Sequence, residues 1–192
     1  MSGILAGKSV VVTGAGRWLG EAFAVHAAHA GASVVVNDVD AECARRVVDT
    51  IREHGGRAVA SGASVAVAEQ AEELVAGCVA EFGRIDGLVN NAGLNYETLP
   101  WEDEPDAMRE LVEVNVLGPM YTGVAAMRAM LPHGGGSIVN ISSGASFGQR
   151  KLGTYAASKC AVASLTYAWA LDCEQVGIRV NAVCPLAHTR MV

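Results

Sequence analysis

Short apolar runs typical of β-strands alternate along this chain with longer segments, rich in Ala, Glu and Arg, that are typical of helices. Glycines and prolines lie between the two kinds of segment, where turns are required. Strands that alternate with helices favour a parallel sheet with helices on both of its faces. We therefore predict an α/β fold, a doubly wound parallel sheet with strands at residues 9–13, 33–37, 58–61, 87–90, 137–141 and 179–183.

The length and composition indicate one domain that spans residues 1–192. A chain of 192 residues, 51% of them hydrophobic, can bury a sizeable core. Its formal net charge is −6 and it has no basic cluster, so neither a nucleic acid nor an anionic membrane is an expected partner. We expect a small-molecule ligand instead.

The two ends of the chain lead to separate expectations. No apolar run is long enough to span a bilayer and no signal-like prelude precedes the first strand, so a cytoplasmic protein is expected. The chain stops at Val192, soon after the sixth strand, with nothing to cover that apolar edge. We therefore expect a domain truncated after its sixth strand, with the C-terminal part missing.

The cysteines and histidines do not indicate a metal site. The five cysteines are scattered, with no Cys-x-x-Cys pair and no matching histidine spacing. His26 and His29 are close enough on a helix to form a ligand pair, but no acidic or thiol partner stands beside them in the sequence. We predict exposed helix residues and no bound metal.

Tyr155 and Lys159 are four residues apart, so on a helix they share one face. A neighbouring cation favours the phenolate form of a tyrosine, whose ordinary pKa of about 10 is too high for a base near neutral pH. Upstream, segment 136–143 has an apolar middle and ends in Ser142 and Ser143, as expected of a buried strand. The sequence predicts that these hydroxyls and the Tyr/Lys pair converge at the sheet edge where open α/β folds bind ligands.

A glycine-rich turn at residues 13–20 follows the first strand and opens a helix. Such turns let backbone amides at a helix N-terminus approach a pyrophosphate. Asp38 follows the second strand, where a carboxylate would accept the ribose hydroxyls of an adenosine. A 2′-phosphate there would face that charge, which Arg17 would only partly offset, so NAD is favoured over NADP.

The chain resembles the short-chain dehydrogenase/reductase family over nearly all of its length. The family's Thr-Gly-x-x-x-Gly-x-Gly turn is similar to residues 13–20, its Asn-Asn-Ala-Gly to residues 90–93, its helix asparagine to Asn115 and its Tyr-x-x-x-Lys to Tyr155 and Lys159. Together these motifs are highly specific. The resemblance implies a Rossmann-like fold and an NAD(P)-dependent oxidoreductase that acts on CH–OH groups.

The same resemblance assigns roles to individual residues. Lys159 would hold the nicotinamide ribose and lower the tyrosine pKa, Asn115 would hold a water that relays protons to Lys159, and the strand-end serine would orient the substrate oxygen. The implied catalytic set is Asn115, Ser143, Tyr155 and Lys159. The implied cofactor-binding set is Gly14, Arg17, Trp18, Leu19, Gly20, Asp38, Ser64, Val65, Asn91, Ala92, Gly93, Tyr155, Lys159 and Pro185.

Three positions depart from the family pattern. Trp18 stands at the middle glycine of the turn, where a large side chain would crowd the pyrophosphate or force the turn open, unless it points to solvent. Ser64 stands where an adenine-contacting aspartate is common, and Cys160 stands where a small residue usually follows the lysine.

The catalytic serine has two candidates. The usual family separation from Tyr155 gives Ser142, whereas matching the strand residue for residue gives Ser143. Because side chains alternate between the faces of a strand, a shift of one residue would point the hydroxyl the wrong way. We choose Ser143 on the strand match.

Two functions follow as hypotheses. The first is an NAD-dependent enzyme that interconverts a secondary alcohol and a ketone; the second is a catalytically impaired nucleotide-binding or oligomer-forming scaffold, which Trp18 and the short C-terminus favour. The intact Ser, Tyr, Lys and Asn set argues for the enzyme. The resemblance also implies that the helices near residues 106–130 and 155–175 pack against a second copy, in a homodimer or homotetramer.

Overall fold

The predicted parallel sheet is confirmed by the computed structural model, which describes residues 3–185. Six strands pair in the order β3-β2-β1-β4-β5-β6, and every pair is parallel. Their bounds are β1 Ser9–Thr13, β2 Ser33–Asn37, β3 Arg57–Ser61, β4 Gly87–Asn90, β5 Gly136–Ile141 and β6 Ile178–Val183, so three strands begin one residue before the predicted start.

The helices occupy the connections between the strands. They are α1 Trp18–His29, α2 Ala41–Glu53, α3 Ala68–Phe82, α4 Pro105–Val112, α5 Gly118–Met130 and α6 Gly153–Asp172, with short 3₁₀ turns at Leu131–His133, Gly144–Phe147 and Glu174–Val176. The glycine turn thus lies between β1 and α1, as predicted.

Alternation along the buried strands builds a separate core on each face of the sheet. In β1, Val10 and Val12 pack with residues of α1 and α2, whereas Val11 packs with residues of α3 and α5. Successive side chains of a strand point to opposite faces, so an apolar strand can serve both layers at once. This explains why β1 and β2 each contain a continuous run of three valines rather than an alternating pattern.

The helix between β4 and β5 is interrupted just before Gly118 and Pro119. A π-helical turn, Glu113–Leu117, separates α4 from α5. Pro119 lies in the first turn of α5, and its missing N–H removes one helical donor at this junction. The π turn carries Asn115, which is fully buried.

The last strand lies at an edge of the sheet formed by the described residues. β6 pairs with β5 alone, and Ile178 and Val180 are buried while Arg179 and Asn181 to Val183 are exposed. The outer edge of β6 therefore presents unpaired backbone groups, the arrangement that favours pairing with further polypeptide.

Candidate active site and cofactor cleft

A cleft of about 1000 Å³ opens at the carboxyl ends of the strands. It runs across the point where the strand order reverses between β1 and β4, which is where open α/β sheets bind ligands. Every residue assigned above to cofactor binding lines this cleft, as do Ser142 and Ser143. Asn115 does not line it and is buried behind it.

The glycine turn packs tightly against the end of β4. Gly14 has φ +60°, and a Cβ on it would come within 2.8 Å of the Ala92 Cα. A Cβ on Gly20 would overlap the Gly14 carbonyl oxygen. Only glycine fits both positions, so the turn forms the backbone cradle that a dinucleotide pyrophosphate requires.

Thr13 and Asn91 fasten the two loops that form this cradle. The Thr13 Oγ1 accepts the backbone N–H groups of Asn91 and Ala92, both at 3.1 Å. The Asn91 Nδ2 donates to the carbonyls of Thr13 at 3.0 Å and Gly14 at 2.9 Å. These four hydrogen bonds hold the ends of β1 and β4 in a fixed relation. The site assignments omitted Thr13, although it begins the turn motif.

Trp18 adopts a backbone conformation that a residue with a side chain rarely takes. Its φ is +55°, in the left-handed region that favours glycine, and its side chain is 57% exposed while still lining the cleft. A side chain held in this region costs about 1 kcal/mol relative to glycine. The family's glycine at this position therefore has a conformational reason, which Trp18 overrides.

Trp18→Gly is expected to raise the free energy of unfolding by about 1 kcal/mol, because the left-handed conformation no longer carries a Cβ. It is also expected to bind NAD more tightly, because the backbone can come closer to the phosphates. Chemical unfolding and calorimetric titration measure the two effects.

Trp18→Ala is the matched control, since it removes the indole but keeps the backbone strain. Tighter NAD binding by both variants would identify the indole as the obstruction. Equal NAD affinity in all three proteins would show that Trp18 points away from the cofactor.

Asp38 lines the cleft directly after β2. Its Oδ2 accepts the Gly16 backbone N–H at 3.0 Å, and its Oδ1 accepts the Asp40 backbone N–H at 3.0 Å. The carboxylate is thereby fixed beside the glycine turn, with lone pairs left for a ligand. Ser64 lies farther along the same wall, where its backbone N–H donates to the Gln70 side chain at 2.7 Å.

Arg17 pairs with Asp40, a cleft residue that the sequence reasoning did not assign. The guanidinium Nε also lies 3.1 Å from the Cys43 Sγ. Asp40 caps α2, accepting the Cys43 backbone N–H at 3.2 Å, and this bond lowers the pKa of the Asp40 carboxyl below its usual range. An acidic residue just before a helical segment is a recognisable capping signal.

Tyr155 lies in the first turn of α6, beside the end of β5. Burial raises the pKa of its phenol above the ordinary value of 10, and interaction with the Ser143 side chain works in the opposite direction. Ser142 also lines the cleft, but its buried hydroxyl donates to the Lys159 carbonyl at 2.9 Å. The Ser143 Oγ accepts the Ala145 backbone N–H at 3.2 Å, and the choice of Ser143 as the catalytic serine stays a prediction from the strand match.

Lys159 is a buried lysine on α6. Only 5% of it is exposed, and its ammonium donates to the Ile141 carbonyl at 2.8 Å. The Nζ lies 5.6 Å from the centre of the Tyr155 ring. Burial lowers the pKa of Lys159 from 10.5 to about 8. The role of this cation in lowering the Tyr155 pKa stays a prediction from the resemblance.

Asn115 forms a clamp between three segments. Its Oδ1 accepts the Leu94 backbone N–H at 2.7 Å, and its Nδ2 donates to the Leu94 carbonyl at 2.9 Å and to the Ser158 hydroxyl at 3.1 Å. Both N–H groups of the amide are therefore used within the protein. The side chain fixes the loop after β4 to the helix that carries Tyr155 and Lys159.

Asn95 carries an unsatisfied polar atom. Its Oδ1 is buried without a hydrogen-bond partner among the described residues, and Asn95 lines the cleft. A buried acceptor left free in a native fold calls for a partner, and a bound ligand is one way to supply it. Other lining residues outside the earlier assignments include Val39, Leu94, Glu110, Glu113, Val114 and Leu152.

Within residues 3–185, the structure bears on the expectations about metals and membranes. His26 and His29 are exposed on α1, and no group of three or more potential metal-ligating side chains forms within that range. None of the helices there is both long and apolar enough to cross a bilayer.

The family model described as short chain dehydrogenase matches residues 8–191. An uncharacterised oxidoreductase of Thermotoga maritima is 41% identical over 181 residues, which span 93% of this chain and 71% of that protein. A short chain dehydrogenase from Mycobacterium avium superposes with a TM-score of 0.93 at 37% identity, over 99% of this chain and 71% of that one.

Two further solved structures carry different cofactors. A 7α-hydroxysteroid dehydrogenase complexed with NADH and 7-oxo glycochenodeoxycholic acid has a TM-score of 0.90 at 35% identity, and it covers 94% of this chain and 71% of its own. A gluconate 5-dehydrogenase from Burkholderia cenocepacia in complex with NADP and tartrate has the same TM-score, identity and coverage.

Proposed function

Because this chain belongs to the short-chain dehydrogenase/reductase family, we propose that it is an NAD-dependent oxidoreductase that interconverts a secondary alcohol and a ketone. The observation that carries the proposal is that Tyr155, Ser143 and Lys159 line the same cleft as the glycine turn. A proton-transfer group and a dinucleotide cradle in one cleft are the two requirements of this chemistry.

The dinucleotide would be held by residues along the whole cleft. The cradle around Gly14 and Gly20 fits a pyrophosphate, since no Cβ fills it and a helix N-terminus follows. Asp38 would accept the ribose hydroxyls of the adenosine, and Lys159 would approach the other ribose. When bound, NAD would supply the acceptor or donor of the hydride.

The protein's own contribution is proton transfer and charge stabilisation. In alcohol oxidation the Tyr155 phenolate accepts the hydroxyl proton of the substrate, and the Ser143 hydroxyl donates a hydrogen bond to the substrate oxygen. At pH values below the lowered Lys159 pKa of about 8, Lys159 carries a positive charge near Tyr155. Asn115 is assigned to holding the loop after β4 in position, since its amide N–H groups are already occupied.

The preference for NAD over NADP is supported by charge. Asp38 and Asp40 both line the adenosine end of the cleft, and Arg17 is already paired with Asp40. A 2′-phosphate would enter a region of negative charge that this guanidinium does not freely offset. The solved relatives include one complex with each cofactor, so this preference rests on the residues of this chain.

The second candidate function is a nucleotide-binding scaffold without turnover, favoured by the strained and partly cleft-facing Trp18. Titration with NADH, followed by fluorescence, and then a turnover assay with a panel of cyclic and open-chain secondary alcohols distinguish the two. Binding with turnover supports the enzyme. Binding without turnover across the panel, with the Trp18→Gly variant equally inactive, supports the scaffold.

An oligomer is proposed from the helices on one side of the molecule. Here α4 packs against α6, and large apolar side chains stay exposed on α4, α5 and α6. This helix patch consists of Met108, Val112, Val124, Tyr167 and Leu171, of which Tyr167 is 73% and Leu171 76% exposed. Apolar side chains grouped in this way favour an interface with a second copy.

Leu171→Glu is expected to convert the oligomer to monomer, because a carboxylate in the helix patch would have to be desolvated against its symmetry mate. Light scattering should give a multiple of 19.8 kDa for the wild type and a lower mass for the variant. Ile4→Glu, at a residue exposed outside the patch, is the control and should keep the wild-type mass. A monomeric wild type would contradict the proposal.

A further inference from the structure

At the adenosine end of the cleft, the glycine turn meets the segment after β2 through the side chains of Arg17, Asp38, Asp40 and Cys43. Arg17 stands in the glycine turn, while Asp38, Asp40 and Cys43 follow β2. Arg17 contacts Asp40 and Cys43, and Asp38 binds the backbone of Asp40 and of Gly16. The guanidinium at this end is therefore oriented by α2 and not by the cofactor turn to which it belongs.

Asp40 contacts both Arg17 and α2. Its Oδ2 forms the ion pair with Arg17 and also accepts the Cys43 thiol at 3.3 Å, and its Oδ1 accepts the Cys43 backbone N–H at 3.2 Å. The cap fixes the carboxylate, and the fixed carboxylate fixes the guanidinium. Asp40 thus has a function toward Arg17 that is separable from its function as a helix cap.

A second guanidinium nearby is also occupied. Arg46 on α2 donates to the Gly16 carbonyl at 2.8 Å and lies 3.4 Å from a Glu21 carboxylate oxygen. The charged groups that surround the turn at this end are therefore two guanidinium groups and three carboxylates, on Asp38, Asp40 and Glu21. An added phosphate dianion would meet an excess of negative charge.

We propose that Asp40 is a positioning residue that sets the preference for NAD over NADP by holding the Arg17 guanidinium, which would otherwise pair with a 2′-phosphate. This deepens the proposed function and rests on it. Arginine is well suited to phosphate because its planar fork presents paired N–H donors. Removing the charge of Asp40 should turn Arg17 from a partner of α2 into a phosphate ligand.

Asp40→Asn is the decisive variant, because asparagine caps a helix as well as aspartate does but carries no charge. Calorimetric titration with NAD and with NADP is the measurement. The ratio of the NADP Kd to the NAD Kd is expected to fall about tenfold, the order expected for one unit charge close to a phosphate near a protein surface. Asp40→Glu keeps the charge and should keep a ratio near that of the wild type.

The double variant Arg17→Gln with Asp40→Asn tests whether Arg17 carries the effect. The gain in relative NADP affinity should disappear in the double variant. A gain that persists would mean that Asp40 acts by its charge alone and would overturn the positioning role. An unchanged ratio in Asp40→Asn would also overturn it while leaving the proposed function intact. Failure of the wild type to bind either dinucleotide would instead refute the proposed function, and the inference with it.

Discussion

Tyr155→Phe is expected to lower turnover by about a hundredfold or more while leaving NAD affinity little changed, because only the proton-transferring hydroxyl is lost. The ring that packs in the first turn of α6 is retained, so the fold should persist. The wild type should oxidise alcohols faster as pH rises, since burial raises the Tyr155 pKa and the phenolate is the active form. The variant should lose this alkaline rise.

Tyr167→Phe is the matched control on the same helix, since it removes one phenol hydroxyl from an exposed ring. Its turnover should remain near that of the wild type. Steady-state kinetics of both variants over a range of pH, with NADH binding measured by fluorescence, complete the comparison. Near-normal turnover by Tyr155→Phe would refute the proposed acid/base group.

Lys159→Met is expected to abolish most turnover and weaken NAD binding, and yet to stabilise the fold. Burial lowers the Lys159 pKa from 10.5 to about 8. At pH 7 the buried ammonium therefore costs about 3 kcal/mol, and loss of its bond to Ile141 would offset about 1 kcal/mol of the gain. The variant should unfold with a free energy about 2 kcal/mol higher than the wild type.

The difference in stability between the wild type and Lys159→Met should depend on pH. Between about pH 8 and pH 10.5 the folded wild type has released the Lys159 proton that the unfolded chain still binds. Stability rises with pH wherever the unfolded state binds more protons, so the wild type should gain on the variant across this window. Above this pH window, the charge of Lys159 should no longer contribute to the difference in stability between the wild type and the variant.

Urea unfolding at several pH values measures this difference. Lys151→Met, at an exposed lysine, is the control and should give the same stability as the wild type at every pH. A Lys159→Met protein that is less stable than the wild type at pH 7 would show that the ammonium is compensated in the folded state. The alkaline limb of any remaining activity should move to higher pH, because a positive charge below Tyr155 is lost.

The sheet could be predicted because its strands obey a simple physical rule. A strand buried on both faces, such as β1 with Val10 to Val12, must be apolar throughout and must end where polar or glycine residues begin. The same rule underlies the choice of Ser143 over Ser142, which stays a prediction. In both cases the deciding information is local.

The remaining features depend on groups that meet only after folding. Lys159 on α6 donates to the backbone carbonyl of Ile141 at the end of β5. The partner of Arg17 is Asp40, which lies in another loop. The conformation at Trp18 runs against the local preference of the residue, so no propensity argument would find it. The resemblance assigned Asn115 to the catalytic set, but its hydrogen bonds to Leu94 and Ser158 join segments that are distant in the sequence and meet only in the folded chain.

The π turn at Glu113–Leu117 makes chain length between β4 and β5 a determinant of the site. Such a turn contains one residue more than the α-helix it interrupts. One residue corresponds to about 100° of rotation around a helix axis. Deleting a residue there would therefore turn α4 relative to α5, so that Leu111 in the core or Thr122 against Asn90 would have to leave its place. The number of residues along this stretch is therefore fixed by two packed surfaces at once.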